Sequence, residues 1–247
     1  MDDKTLQNAN VSDLELLGDQ LIISTYGDGL LKYNISNGTL QNYDLEINRI
    51  RSIYADENVI LCSSIRGSIE ITHFGVTYYT KSNGLVNESI KCIFKDREHN
   101  YWLGTDGNGL LKFLGKSVIS YSTADGLGSD IVMTILQEAD SNFIYGTYNA
   151  GLTILDHGIT HQITRTDGLK DNTVWKIKPN PTGGNWVATS KGLNWLVDGK
   201  IKPLPEIDQI TSKIRTIVSN QNTSYFGGAD GIYAYNGDSL FFIQALS

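Results

Sequence analysis

Proline and cysteine are scarce in this 247-residue chain, at four and two copies, and histidine and methionine are nearly as rare at four and two. Two cysteines, Cys62 and Cys92, are too few for a disulfide framework or a CxxC metal site. They read as buried free thiols, because unpaired cysteine is among the most buried residue types. Basic runs are missing too. No stretch of Lys/Arg exceeds two residues, and 20 basic against 27 acidic side chains leave a net charge of −7. That balance argues against nucleic acid or an anionic membrane as the main partner. No apolar run approaches the length of a transmembrane helix, and no charged-then-apolar leader opens the chain. Met1-Asp2-Asp3-Lys4 reads as a mature or an artificial start, compatible with a removed signal peptide.

Glycine and tyrosine, by contrast, are abundant, with 25 and 13 copies. This suits a turn-rich β protein better than a helical one. With 40% hydrophobic residues the chain can bury the core of one large domain or two small ones. The glycines recur in phase. "IISTYGDGLLKY" (22–33), "YWLGTDGNGLLKF" (101–113) and "FIYGTYNAGLTIL" (143–155) are strong copies of one motif. "LCSSIRGSIEIT" (61–72), "WVATSKGLNWL" (186–196) and "YFGGADGIYAY" (225–235) are weaker ones. Their closing Leu or Ile falls at Leu30, Ile69, Leu110, Leu152, Leu193 and Ile232, a period of 39 to 42 residues. A second anchor keeps the same beat. Apolar pairs at i, i+3 stand at Val11/Leu14, Ile50/Ile53, Ile90/Ile93, Val132/Ile135, Val174/Ile177 and Ile214/Ile217. Three repeats also begin after an Asn/Asp-Gly-Leu tail.

Each unit reads as four short strands. In 86–127 these are "SIKCIFK", "YWLGT", "LLKFL" and "SVISYST", separated by "DREHN", "DGNG" and a Gly-Lys turn. Short strands, apolar on both faces and punctuated by Gly, Asn and Asp, are what blades sandwiched between neighbouring blades require. The fold class is therefore all-β, a β-propeller of four-stranded antiparallel blades, either a six-bladed ring or a fragment of a larger propeller. An N-terminal segment, 1–10, precedes a propeller domain, 11–247, with repeats at about 11–47, 48–85, 86–127, 128–169, 170–206 and 207–247. No convincing helix is expected.

Most of the motif has an architectural explanation. The second strand carries a large column (Ile22, Leu61, Trp102, Ile144, Trp186, Tyr225) that can fill the wedge between blades. Two residues on comes a small column (Ser24, Ser63, Gly104, Gly146, Ala188, Gly227) that lets a neighbour approach. The strand closes on a hydroxyl (Thr25, Ser64, Thr105, Thr147, Thr189; Gly228 is the exception) placed to bond the following turn. Gly29, Gly109, Gly151, Gly192 and Gly231 suit a turn that demands positive φ. "GTDGNGL" lacks the helix start of a phosphate loop and the alternating acids of an EF-hand loop.

The pattern GL…N.V..I..D…YWLGT..NGLLKF resembles the two-component regulator propeller repeat. It is carried here by Gly84-Leu85, Ile90, Ile93, Asp96, Trp102 to Thr105 and Gly109-Leu110. The resemblance covers 11–247, strongest in repeats three to five and degraded in two and six. It implies the periplasmic, extracytoplasmic sensing part of a membrane-anchored regulator. Such regulators are commonly hybrid histidine kinases of carbohydrate-using bacteria and sometimes diguanylate cyclases. Small ligands, often oligosaccharides, are detected and the signal passes through a following β-sandwich and membrane helix. Neither of those follows in this sequence, which reads as an input module or fragment. Family sensors often carry two seven-bladed rings.

No catalytic residue, cofactor or metal is expected. His73, His99, His157 and His161 fall at unrelated repeat positions without zinc spacing and read as surface residues. No Ser sits in a G-x-S-x-G setting. Asp96, Asp125, Asp140 and Asp167 have turn or capping roles. A propeller lyase acting on cyclic peptide antibiotics has a comparable repeat and is the enzyme alternative, without a matching His/Glu constellation here. Binding residues are better placed. After the first anchor of each repeat stand Ser12, Arg51, Lys91, Met133, Trp175 and Arg215, on the strand that lines a propeller channel. The rim loops offer Tyr26, Asp28, Arg66, Asp106, Asn108, Tyr148, Asn149, Lys191 and Asp230. From these the ligand-binding candidates are Tyr26, Arg51, Arg66, Lys91, Asp106, Asn108, Tyr148, Trp175, Lys191, Arg215 and Asp230. Hydrogen-bonding groups mixed with Tyr and Trp suit an oligosaccharide or other small molecule, and the basic members favour an anionic group such as a uronate or sulfate. Self-association, and further propeller or β-sandwich domains of the parent protein, are the other partners expected. A protein-binding scaffold is the alternative function.

Overall fold

A computed structural model describes residues 9–83, 85, 87–114, 117–139, 142–156, 158–220 and 222–243. Twenty-four strands form six four-stranded antiparallel sheets, each one repeat of the sequence. Blade 1 is β1 (Val11–Leu17), β2 (Gln20–Thr25), β3 (Leu30–Asn34) and β4 (Leu40–Asn42). Blade 2 is β5 (Ile50–Ala55), β6 (Val59–Ser64), β7 (Gly67–Thr72) and β8 (Gly75–Tyr79). Blade 3 is β9 (Ile90–Lys95), β10 (Tyr101–Thr105), β11 (Leu110–Leu114) and β12 (Ser117–Tyr121). Blade 4 is β13 (Val132–Ala139), β14 (Asn142–Thr147), β15 (Leu152–Asp156) and β16 (Ile159–Ile163). Blade 5 is β17 (Val174–Pro179), β18 (Asn185–Thr189), β19 (Gly192–Val197) and β20 (Lys200–Lys202). Blade 6 is β21 (Ile214–Ser219), β22 (Ser224–Gly228), β23 (Ile232–Tyr235) and β24 (Leu240–Ile243). The architecture is all-β and of propeller type. The chain forms two compact units that divide between Ile119 and Ser120, within β12.

A spacing of i, i+3 is foreign to a strand, whose side chains alternate with period two. The pairing register resolves the conflict. In every blade the first strand pairs with the second at the first anchor, skips one residue and resumes: Val11 then Asp13, Ile50 then Ser52, Ile90 then Cys92. Blades 4 to 6 do the same at Val132 then Thr134, Val174 then Lys176, and Ile214 then Thr216. Each is a β-bulge, and the extra residue shifts the alternation so that in blades 2 to 6 both anchors point to the core. The skipped residues are Ser12, Arg51, Lys91, Met133, Trp175 and Arg215.

Packing between blades follows the columns. Within the first unit, Leu30 packs with Ile50 and Ile53 of the next blade, and Leu61 with Ile90 and Ile93. Within the second, Leu152 packs with Val174 and Ile177, and Leu193 with Ile214 and Ile217. Gly146 shows why the small column exists: a Cβ there would fall 2.6 Å from Val174 Cγ1 of the next blade. The closing hydroxyls do more than bond the turn amides. Thr25, Ser64, Thr105, Thr147 and Thr189 all donate to the carbonyl of the turn glycine at 2.8 to 3.0 Å. Four of the five also accept a turn N–H, from Asp28, Arg66, Asn108 and Lys191. Gly192, with φ of 117°, is irreplaceable on a second ground, since a Cβ would lie 2.0 Å from the Ile210 carbonyl oxygen.

Helix is present after all, in short pieces. α1 (Pro205–Asp208) opens with proline and buries Ile207, and 3₁₀ turns occupy Lys81–Asn83, Thr123–Asp125 and Arg165–Asp167. The last two are the Asp-Gly-Leu tails. Ser122 with Asp125, and Thr164 with Asp167, form reciprocal capping boxes, and Gly126 and Gly168 close them in the left-handed region. The end blades depart from the columns. Val11 is 39% exposed where the other five first anchors are buried, and Ile232 is 46% exposed where its five counterparts are buried.

Candidate functional site

A bulged residue has no ladder partner opposite it, so its side chain is re-aimed while the backbone around it is fixed. Here that device presents one variable side chain per blade. The side chains reach toward the following blade: Ser12 donates to the Ile50 carbonyl at 2.6 Å, and Arg51 donates through Nη1 to the Ile90 carbonyl at 3.3 Å. The bulge sits opposite the end of the second strand, so it meets the loop that follows. Lys91 reaches Asp106, and the Trp175 indole N–H donates to Ser190 Oγ at 2.9 Å. Interblade loops meet the same loops. Asn87 donates to Asn108 at 2.6 Å, Thr173 to Asn149 at 2.9 Å, and Ser212 to Asp230 at 2.7 Å.

In the first unit four groups form one network. Arg51 donates to Ser89 Oγ at 3.1 Å, Ser89 donates to Asp106 at 3.2 Å, and the Lys91 ammonium lies 3.0 Å from the same carboxylate oxygen. Arg51, Lys91 and Asp106 are thus brought together, with Asn108 in the same loop. Ser89 and Asn87 are members that sequence reasoning missed; both stand just before the Ile90 anchor.

In the second unit the residues brought together are Trp175, Arg215 and Lys213. The Lys213 ammonium lies 3.8 Å from the centre of the Trp175 ring and the Arg215 guanidinium 5.4 Å from it. The aromatic platform anticipated for a sugar is therefore covered over one face by Lys213. Burial, and then the Arg215 charge, pull the Lys213 ammonium below the usual lysine range. Among the described residues neither cation forms an ion pair. Lys213 lies outside the bulge column because it precedes its anchor, Ile214, rather than following it. The flanking pattern Lys213-Ile214-Arg215 carries the signal, and Arg49-Ile50-Arg51 repeats it in blade 2.

The remaining candidates stand apart from these two groups. Tyr26 is half-buried and bridges to Arg49 through the backbone. Arg66, Tyr148 and Lys191 are exposed in their loops. Asp230 accepts from Ser212 and, at 2.6 Å, from the Tyr233 hydroxyl; the Tyr233 bond is the larger influence holding its carboxyl below the usual range.

Of the histidines, His73 and His99 are exposed in turns. His161 is exposed within β16. His157 and Asp140 lie outside the described residues. Asp96 is a buried structural acid, accepting from Asn100 and from the Trp102 indole at 2.8 Å. Cys62 and Cys92 are buried and not joined in a disulfide, and burial pushes the Cys62 thiol up. Among the described residues no group of three His, Cys, Asp or Glu side chains could hold a metal ion, and no helix is long and apolar enough to cross a membrane.

Cavities also lie elsewhere among the described residues. One of about 290 Å³ in the first unit is lined by Leu61, Ile69, Tyr79, Ile93, Tyr101 and Phe113 among others. The Tyr79 and Tyr101 hydroxyls beside it both donate to Glu70, at 2.6 and 2.5 Å. Burial and that bond push Tyr79 up to about 12. A wider groove of about 750 Å³ in the second unit is lined by Glu138, Asp156, His161, Asp167, Asp198 and Lys200 among others. The first is lined in part by the interblade columns, through Leu61, Ile69 and Ile93, whereas no sequence column marks the second, whose lining comes from blades 4 and 5.

Six copies of a four-stranded, roughly 40-residue blade define a β-propeller. Residues 84–107 match the family model described as two component regulator propeller, the repeat whose best copy runs through blade 3. No curated protein matches the chain. Among solved structures, the chain is similar to the extracellular domain assigned to the hybrid two component system BT4673 of B. thetaiotaomicron. The TM-score is 0.66 at 16% identity, over 96% of this chain and 44% of that one. It is also similar to virginiamycin B lyase of Staphylococcus aureus (TM-score 0.74, 14% identity, 98% and 87% covered). A third is PorZ, a surface component of the type-IX secretion system of Porphyromonas gingivalis (0.66, 14%, 93% and 39%). At these identities the likeness is one of fold. The chain spans less than half the length of the BT4673 domain.

Proposed function

We propose that this chain is a non-catalytic, ligand-sensing propeller module from the periplasmic part of a two-component regulator, and that it detects a small ligand such as an oligosaccharide. The observation that carries the reading is the bulge column: six positions with the same register shift hold five different side chains, Ser, Arg, Lys, Met, Trp and again Arg. A scaffold needs no such variation at fixed geometry, whereas a ligand site does. The match of residues 84–107 and the likeness to the extracellular domain of a hybrid two component system support the setting. The lyase likeness supports the blade architecture only. Calorimetry or a thermal-shift screen against neutral and acidic oligosaccharides tests the reading. Binding that disappears in Arg51→Ala plus Trp175→Ala supports it; a flat response across the panel, or turnover of a substrate, overturns it.

A second reading has its own observation. Ile232, Phe241, Phe242 and Ile243 of blade 6 are all about half exposed, an apolar surface of the kind that marks an interaction face. On this reading blade 6 supports self-association or docking of a further domain. Light scattering across a concentration series tests it, with Ile232→Asp expected to abolish any association.

A further inference from the structure

We propose that Lys213, Arg215 and Trp175 form an oxyanion-binding site in the second unit, one that takes a carboxylate or sulfate group of a ligand. The inference deepens the ligand-sensing reading and rests on it for the saccharide that would carry the anion.

Two cations share one indole ring, at 3.8 and 5.4 Å from its centre. The ring quadrupole attracts each of them, and the Trp175 N–H bond to Ser190 fixes the ring's orientation on blade 5. Cation–π attraction does not neutralise charge, and like charges held this close repel. Among the described residues no carboxylate pairs with either group. At the same bulge position in blade 3, Lys91 has Asp106 at 3.0 Å. The blade 6 loop also carries an acid, Asp230, but its two oxygens accept from Ser212 and Tyr233 instead. The acid that would quench the cations is thus occupied elsewhere.

What remains is a partly desolvated ammonium beside a planar guanidinium. One is a point charge with three donors and the other a fork that matches two oxygens of a carboxylate or sulfate. An oxyanion arriving here relieves the repulsion and meets both donors beside one fixed ring. The chain's net charge of −7 opposes anions at long range, so affinity has to come from this local arrangement.

The test is calorimetric titration of the folded chain with three probes: an oligogalacturonate, a neutral oligosaccharide of the same length, and inorganic sulfate. Lys213→Gln, Arg215→Gln and, as a control, Lys200→Gln on exposed β20 are compared. All three positions are at least partly exposed, so unfolding curves are expected to match the wild type. The oligogalacturonate is expected to bind and to lose about ten-fold in affinity in either site variant, with no loss in Lys200→Gln. Added salt should weaken it in the wild type. Equal affinity for the acidic and neutral probes, or no change in the site variants, overturns the inference while leaving saccharide sensing standing. Sulfate binding that falls in both site variants, with neither saccharide bound, supports the anion site and counts against the saccharide-sensing reading. Failure of all three probes overturns both.

Discussion

In blade 3 the bulged residue is Lys91, and its ammonium lies 3.0 Å from Asp106. In blade 6 it is Arg215, which shares the ring of Trp175 with a second cation and has no carboxylate partner among the described residues. The same backbone device closes on itself in the first unit and stays open in the second. The large column differs in a parallel way. Trp102 in blade 3 donates to the buried carboxylate of Asp96, with Lys112 lying 4.6 Å from the ring centre and 3.6 Å from the carboxylate. Trp186 in blade 5 donates to Ser224 and packs edge-on against Phe226 and Tyr235 at 5.4 and 5.8 Å. One repeat thus accommodates a polar and an apolar wiring, and the choice is made by side chains outside the motif.

The largest effect that separates the two wirings is on stability. Trp186→Ala removes a fully buried indole from an apolar cluster, and such truncations cost about 3–5 kcal/mol. Trp186→Phe keeps the edge-on contacts and is expected to recover most of the loss. Urea unfolding followed by circular dichroism measures both, and a cost below about 1 kcal/mol for Trp186→Ala would break the assignment of this column to interblade packing.

The polar wiring of the first unit should respond to acid. Burial raises the Asp96 carboxyl, but hydrogen bonds from the Asn100 side chain, the Trp102 indole and the Asn100 backbone, with the Lys112 charge, outweigh it and hold the group below the usual range. Asp56 behaves alike: burial raises it, while the Asn58 amide, Lys95 and the Val59 amide lower it further. A depressed folded-state value contributes stability that is fully present above the unfolded value of about 4 and is lost as pH falls through the folded one. The slope of stability against pH below about 4 is therefore expected to flatten in Asp96→Asn. At pH 7 the same substitution should cost about 1–3 kcal/mol through donors left without their carboxylate. An unchanged acid slope would remove Asp96 from the account.

How far these features could be read in advance depended on whether they repeat. The blades and the interblade columns recur six times and the hydroxyl-to-glycine turns five, and recurrence separates a structural requirement from accident. The i, i+3 anchors were legible as a beat before the bulge explained them. The bulge column was found for the same reason, yet its partners were not. Lys213 precedes its anchor rather than following it, and whether Asp106 or Asp230 reaches a cation depends on competing donors such as Ser212 and Tyr233. Those partners differ from blade to blade, so no column records them. The short helix at Pro205–Asp208 escaped because it occurs once. Val11 and Ile232 keep their columns in sequence and lose their burial, so a column records the repeat and not the exposure of each copy.

The smallest expected effect on stability is also the sharpest probe of the comparison. If blade 3 differs from blade 6 chiefly because Asp106 quenches Lys91, removing that one charge should convert one arrangement toward the other. The Lys91 and Asp106 side chains are about a fifth and a third exposed, so Asp106→Asn is expected to change stability by less than about 1 kcal/mol. It keeps a hydrogen-bonding group for Ser89 while leaving the Lys91 ammonium unpaired beside Arg51, itself held by Ser89 and the Ile90 carbonyl. Sulfate titration of this variant should then show a second, weaker, salt-sensitive binding event absent from the wild type, and chemical shifts should move in β9 and the Asp106 loop rather than in β21. Nothing new on titration would mean that an unpaired cation at the bulge is insufficient. The Trp175 ring, which blade 3 lacks at that place, would then be the element that makes the blade 6 arrangement bind.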